Sequence, residues 1–393
     1  MPLSLVSDVA DVNDYLPAAP TPAALAAAAP VNQPAGAVAS VMDTVDIQAV
    51  LDYIEARGFH FTPWQVASYI TAIRTKPFVI LAGVSGTGKS ALPRLVADAT
   101  GAVATTVPVR PDWNDSSELL GYKNLKSDFE PGHLLQFARE AAENLDKQYF
   151  FLLDEMNIAR PEYYFAEVLS RIEEAGVLLD DEPATPLKQD AGDEWGKVVI
   201  PSNLAIVGSV NMDETTFGFS RKVLDRAFVI EFSDVDLSLI GGGGAVAAPQ
   251  QWHADAWRRE GATLAGHPRS GDPSVVRVIE TLTELNDLLQ PAQLHFGYRV
   301  RDEIAMFVLA AEQQPDQFES MEGGQIDPLD LAISMKVLPR IQGSGPTISN
   351  LLKQLGEWAQ PSGGAASAFP VSAQRIDLMQ RRLVETGFTN YWT

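Results

Sequence analysis

PFVILAGVSGTGKSALPRLVADATG, residues 77–101, is the stretch on which the fold turns. FVILA is a short apolar run that reads as a buried strand, the glycines that follow make a turn, and ALPRLVADATG reads as a helix stopping at Gly101. Between them, Gly83-Val-Ser-Gly-Thr-Gly-Lys-Ser90 fits G-x-x-x-x-G-K-[ST] at every position, in the strand, loop and helix setting the pattern requires. The backbone N–H groups of such a loop, with the helix N-terminus behind them, can cradle a β-phosphate. Lys89 can then reach the β and γ phosphates, and Ser90 can hold Mg²⁺. The expected nucleotide-binding residues are therefore Gly83, Ser85, Gly86, Thr87, Gly88, Lys89, Ser90 and Ala91, with Ser90 also a metal ligand.

Working outward, four more runs have the length and apolarity of buried strands: AVATTVPV (102–109), YFFLLD (149–154), LAIVGSV (204–210) and FVIEF (228–232). Helical patterns lie between them, and this alternation predicts a mostly parallel, three-layer α/β core over residues 77–235. Two helices precede it in a lead-in at 45–76, the second opening at Pro63. Residues 1–44 include AAPTPAALAAAAPVNQPAGA and are expected to be a disordered arm, since residues 1–56 hold seven Asp/Glu, no Lys or Arg and few large apolar side chains. GGGGAVAAP at 241–249 marks a linker at 236–274. Beyond it, over 275–393, the patterns are helical only: VVRVIETLTELNDLL, RVRDEIAMFVLAAE, LDLAISMKVLPRI and AQRIDLMQRRLVETG. An α/β core followed by a small all-helical unit predicts a nucleotide-binding domain with a lid.

Composition excludes several alternatives. The chain has no Cys and five His, none at ligand spacing with another, so disulfides, thiolate chemistry and a zinc site are not expected. A net charge of -22 argues against a broad nucleic-acid-binding surface. With no run of 18 apolar residues and no basic segment at the N-terminus, the reading is a soluble, cytoplasmic protein without membrane contact.

The strand ends carry the chemistry. YFFLLDE sets Asp154 and Glu155 at the end of an apolar strand, where a second Mg²⁺ ligand and a water-activating base are needed: Asp154 is the expected metal residue and Glu155 the base. A consecutive pair of this kind favours a hydrolase over a kinase. LAIVGSVN ends in Asn211, whose amide can align the attacking water. FSRKVLDRAFVIEF places Arg221, Lys222 and Arg226 ahead of a strand; Arg226 is the candidate for a finger reaching a neighbouring subunit's nucleotide, with Arg221 the alternate. In HFGYRVRDEI, Arg299 is the candidate lid cation over the γ-phosphate, and Arg301 its competitor.

Three long strings remain: RPDWNDSSELLGY, LLDEMNIARPEYYFAEVLSRIE and GSVNMDETTFGFSRKVLDRA. Through them the chain, from about Ile47 onward, resembles AAA+ NTPases, and among these the McrB-like motor subunits of nucleotide-dependent restriction systems, in the branch that also holds MoxR and dynein-type modules. The resemblance implies a P-loop core with a helical lid, and inserts at 110–132 and 177–203 that project toward a pore or partner, with Trp113, Tyr122 and Lys123 making the contact. It implies Mg²⁺-dependent hydrolysis in a homo-oligomeric, hexameric ring that drives a partner nuclease or effector in defence against foreign DNA, with DNA reached through the partner. Asn211-Met-Asp-Glu-Thr-Thr differs from the string of the GTP-using members, which favours ATP and leaves GTP as the alternative. A MoxR-like chaperone that remodels or matures a protein complex is the second functional reading.

Overall fold

Phe78–Gly83 forms β1, and every residue of it is buried because it runs through the interior of a five-stranded sheet. The computed structural model describes residues 45–393 except 175, 180, 183–184, 213–216, 234–246, 259–260, 262, 321–323, 361–366 and 393. The predicted arm, most of the glycine-rich stretch and residues 213–216 thus lie outside the described residues. In chain order the other strands are β2 (Val103–Pro108), β3 (Gly121–Lys123), β4 (Phe129–Pro131), β5 (Tyr149–Asp154), β6 (Asp181–Glu182), β7 (Thr185–Pro186), β8 (Leu204–Asn211) and β9 (Phe228–Phe232). The main sheet has the order β2-β5-β8-β1-β9, and all its neighbours are parallel. Its strands are near-continuous apolar runs because helices cover both faces.

Parallel pairing brings the carboxyl ends of the strands to one edge. Gly83 lies level with Asn211 on one side and Phe232 on the other, and Leu153 lies level with Gly208. A β-carbon at Gly83 would fall 2.2 Å from the Phe232 carbonyl oxygen, so only glycine lets β9 pass this close to the start of the loop. The helix Pro63–Thr75 opens with a capping box between Thr62 and Gln65. Leu92–Thr100 closes at Gly101, whose φ of 73° suits a left-handed C-cap.

The first insert is a short helix, Ser117–Leu120, and the hairpin β3–β4, leading into the helix His133–Glu143. The second begins at a Val177–Val199 bridge and holds the β6–β7 hairpin and a helix, Leu187–Trp195, kinked at Gly192. One expectation is corrected here. Trp113 is 5% exposed and packs edge-to-face on Tyr164 at 5.3 Å, so it anchors the insert to the core and offers no surface to a partner. Tyr122, 50% exposed, remains outside.

Part of the stretch read as a linker is also bonded to the core. Gln250 and Trp252 donate from their backbone N–H groups to Ala99 and Thr100, and Trp257 packs on Phe150 at 5.2 Å. The helical part comprises Pro273–Leu289, Tyr298–Ala311, Pro328–Lys336, Gly345–Ala359 and Pro370–Thr386. Gly345–Ala359 is a helix the sequence reading did not anticipate. Among the described residues no helix is long and apolar enough to cross a membrane.

Candidate active site

The loop after β1 turns through Gly86 and Gly88, at φ of 83° and 84°, a left-handed conformation that suits glycine and is of the kind that lets successive N–H groups form an anion-binding concavity. Lys89 is 4% exposed, and its ammonium donates to the Val84 carbonyl at 2.5 Å, back across the loop. Thr87 Oγ1 donates to the same carbonyl at 3.0 Å.

At the mouth of this loop, three elements converge. Ser90 Oγ, at the start of the following helix, lies 2.5 Å from Asp154 Oδ1 at the end of β5. Ser209 Oγ on β8 donates to that same oxygen, also at 2.5 Å, and accepts from the Glu155 backbone N–H at 3.0 Å. Glu155 takes a left-handed backbone, φ 53°, which a residue with a β-carbon adopts only at a cost of about 1–3 kcal/mol. The Met156 N–H to the Ser209 carbonyl, 2.8 Å, and the Tyr164 hydroxyl to the Met156 carbonyl, 2.7 Å, secure the next residue. Asn211 Nδ2 stands 3.4 Å from Glu155 Oε1. A hydroxyl and a carboxylate oxygen side by side at the loop form the hard-oxygen donor set that suits Mg²⁺, so Ser90 and Asp154 fit that ion. Ser209 was missed by the sequence reading; the signal available was a hydroxyl inside an apolar run, two residues before Asn211.

The arginines gather elsewhere. Arg226 Nη2 pairs with Glu173 Oε2 at 2.6 Å, and Nη1 donates to the Lys222 carbonyl at 2.9 Å. Arg299, from the helix Tyr298–Ala311, pairs with the other oxygen of Glu173. Arg299, expected over the phosphate loop, is thus joined to Arg226 through their shared partner Glu173. Arg301 instead pairs with its neighbour Asp302 and lies over the Tyr298 ring. Arg221 donates to the Gln293 carbonyl at 3.2 Å.

On the β9 side of the loop, a cavity of about 290 Å³ opens between Trp64, Glu231, Ser233, Ser334 and Arg375. Arg375, on the last helix, pairs with Glu231, which lies level with Ala82 of β1. Phe61 sits against Gly88 and meets Phe232 edge-on at 5.9 Å, joining the lead-in to the loop.

Residues 78–227 match the model of the AAA domain, dynein-related subfamily. The α/β core is an AAA domain. Its parallel sheet and helical C-terminal region are those of the AAA+ fold, and its class is that of nucleotide hydrolases. Residues 264–388, following the AAA domain, match a domain of unknown function, DUF8727. The subunit named type IV methyl-directed restriction enzyme EcoKMcrB, from Escherichia coli K12, is 26% identical over 182 residues, which is 44% of this chain. The match spans 38% of that relative's own length. A solved structure of a candidate ATPase from Cytophaga hutchinsonii superposes with a TM-score of 0.46 at 15% identity, over 75% of this chain and 84% of that one.

Proposed function

We propose that the protein is a Mg²⁺-dependent nucleoside triphosphatase, working with ATP in a homo-oligomeric ring that drives a partner effector. The observation that carries this reading is the convergence at one strand edge of Lys89, Ser90, Asp154, Glu155 and Asn211. Each does a separate task. The loop N–H groups and Lys89 hold the phosphates, and Ser90 with Asp154 would hold the ion, which supplies charge neutralisation between phosphate oxygens when bound. Among the described residues, Glu155 is the carboxylate at this edge that is left to take a proton from water, and the Asn211 amide keeps its oxygen oriented.

This arrangement also orients the nucleotide. The terminal phosphate must face Glu155 and Asn211 at the ends of β5 and β8, so the nucleoside end extends the opposite way, past β9. The cavity beside Trp64 and Arg375 lies on that side and offers a ring to stack on, together with polar edges. Arg226 and Arg221 are then the candidates for completing a neighbouring subunit's site. Similarity to the restriction subunit supports a nuclease or related effector as the partner, with DNA contacted through it.

The experiment is nucleotide binding and Mg²⁺-dependent turnover of ATP and GTP by three proteins. Wild type should hydrolyse, Lys89→Ala should lose binding, and Glu155→Gln should keep binding while losing turnover. Turnover by Glu155→Gln at the wild-type rate removes Glu155 from its role, and preference for GTP overturns the choice of ATP.

A further inference from the structure

The Arg226 backbone is held from the helical part of the molecule on both sides. Lys336, the last residue of the helix Pro328–Lys336, is fully buried, and its ammonium donates to the carbonyls of Asp225 at 2.9 Å and Ala227 at 3.0 Å. These are the residues immediately before and after Arg226. The same ammonium forms an ion pair with Glu303 at 2.5 Å, and Glu303 is paired in turn with Lys76 at 2.5 Å, at the end of the lead-in helix. Four residues beyond Lys336, Arg340 pairs with the Asp225 carboxylate at 2.9 Å.

Such an arrangement is costly unless it does something. A fully buried ammonium loses its hydration, and an apolar residue of similar volume would often be as stable or more so. Here the charge is spent on two carbonyls one residue either side of a single arginine, at a turn where the Arg221–Leu224 helix has already ended and β9 has not begun. The N–H groups of Asp225, Arg226 and Ala227 bond back to the carbonyls of Arg221, Val223 and Leu224, and the carbonyls on either side of Arg226 are taken by Lys336, so the turn is tied both to its own helix and to the helical part.

We infer that Lys336, assisted by Arg340, is a positioning residue for Arg226 in the hydrolysis reaction: it fixes the backbone that presents the guanidinium to the neighbouring subunit's site, and makes the Arg226 turn move with the helical part. The inference rests on the trans-acting role given to Arg226 in the proposed function. Lys336 touches no reacting group. Its facing groups are Glu303, Lys76 and, at longer range, Arg299, together with the two carbonyls and the Phe228 ring, 5.0 Å below the ammonium.

The test is a double-mutant cycle between Lys336→Met and Arg226→Ala in full-length protein, with turnover, nucleotide affinity and thermal midpoint measured for each. Lys336→Met leaves Glu303 paired through its other oxygen with Lys76, so the buried carboxylate keeps one of its two cations. The expected loss in kcat is roughly 10-fold to 100-fold for Lys336→Met, the scale of a misplaced but intact group. Nucleotide affinity should stay within about twofold, since the binding loop is untouched. Arg226→Ala should lose about 10³-fold or more, and the double variant should be no slower than Arg226→Ala alone. Independent, multiplying losses overturn the inference, because a general structural defect would slow the protein whether or not Arg226 is present. If Lys336→Met does not fold, Arg340→Gln takes its place in the same cycle. Wild type that binds nucleotide without hydrolysing it removes the functional reading itself and this inference with it, whereas wild-type turnover with multiplying losses removes only the role of Lys336.

Discussion

Glu155 sits in a backbone conformation that its β-carbon resists, and the contact that offsets the strain comes from a different strand. Ser209 Oγ accepts the Glu155 N–H while donating to Asp154, so one hydroxyl sets both acids relative to each other. Ser209→Ala should lower turnover roughly 10-fold to 100-fold with nucleotide affinity little changed, since it loosens groups that act on water and leaves the loop intact. Steady-state and binding measurements on the same preparation decide this; equal losses in affinity and turnover would assign Ser209 to ground-state binding. Lys336 gives a second residue-scale expectation. Burial drives its pKa down to about 8, with Glu303 opposing the drop and Lys76 adding to it. Below that pH three N–H groups meet Glu303 and two carbonyls; above it a neutral amine has two to offer. The folded pKa lies below the ordinary 10.5, so between about 8 and 10.5 the unfolded chain binds more protons, and this group's contribution to stability rises with pH. Hydrolysis should therefore decline as pH rises through about 8 while the thermal midpoint does not fall with it; a parallel decline would point to unfolding. The loop residues and the acid pair were legible because their chemistry is local in sequence. Ser209, Glu173 and Lys336 were not, because each matters through a partner at least 50 residues away that no pattern names.

At the scale of elements, the first insert has an inside and an outside that its sequence does not separate. Trp113 and Tyr122 are both aromatic residues in a polar stretch, yet one packs on Tyr164 and the other faces out. Trp113→Ala should destabilise by about 3–5 kcal/mol, the range for a truncated core aromatic, while Tyr122→Ala should stay within about 0.5 kcal/mol. Chemical unfolding of the two variants checks the contrast, and similar midpoints for both would contradict the placement of Trp113. The sheet strands were readable because parallel strands covered on both faces are apolar at nearly every position. Helix Gly345–Ala359 was hidden by its own packing. It opens with Gly345-Pro346 and contains Gly356, all of which read as turn signals, but Gly356 is where Gln380 of the last helix crosses, close enough that a β-carbon would lie 3.0 Å from its amide. The three-residue strands β3 and β4 are too short to show alternation at all.

For the molecule as a whole, the placement of Arg226 and Glu155 in separate clusters makes a ring testable without seeing one. Arg226→Ala subunits keep an intact loop and acid pair, and Glu155→Gln subunits keep an intact arginine, so a mixed assembly contains interfaces with every part present. The mixture should turn over faster than the sum of the two preparations; mixed assemblies that gain nothing would return Arg226 to a role within its own subunit. The sheet order carries one further consequence, for how the chain comes to fold. β1 is the first sheet strand to be made, but its neighbours are β8 and β9, and Leu204 follows Gly83 by about 120 residues. At ribosomal speeds of about 5–20 residues per second, FVILAG leaves the ribosome on the order of ten seconds before either neighbour exists. For that interval the most apolar strand in the core has two open edges and no sheet to join, which makes it the segment most exposed to wrong pairing with a second nascent chain and the natural place for a holding chaperone to act.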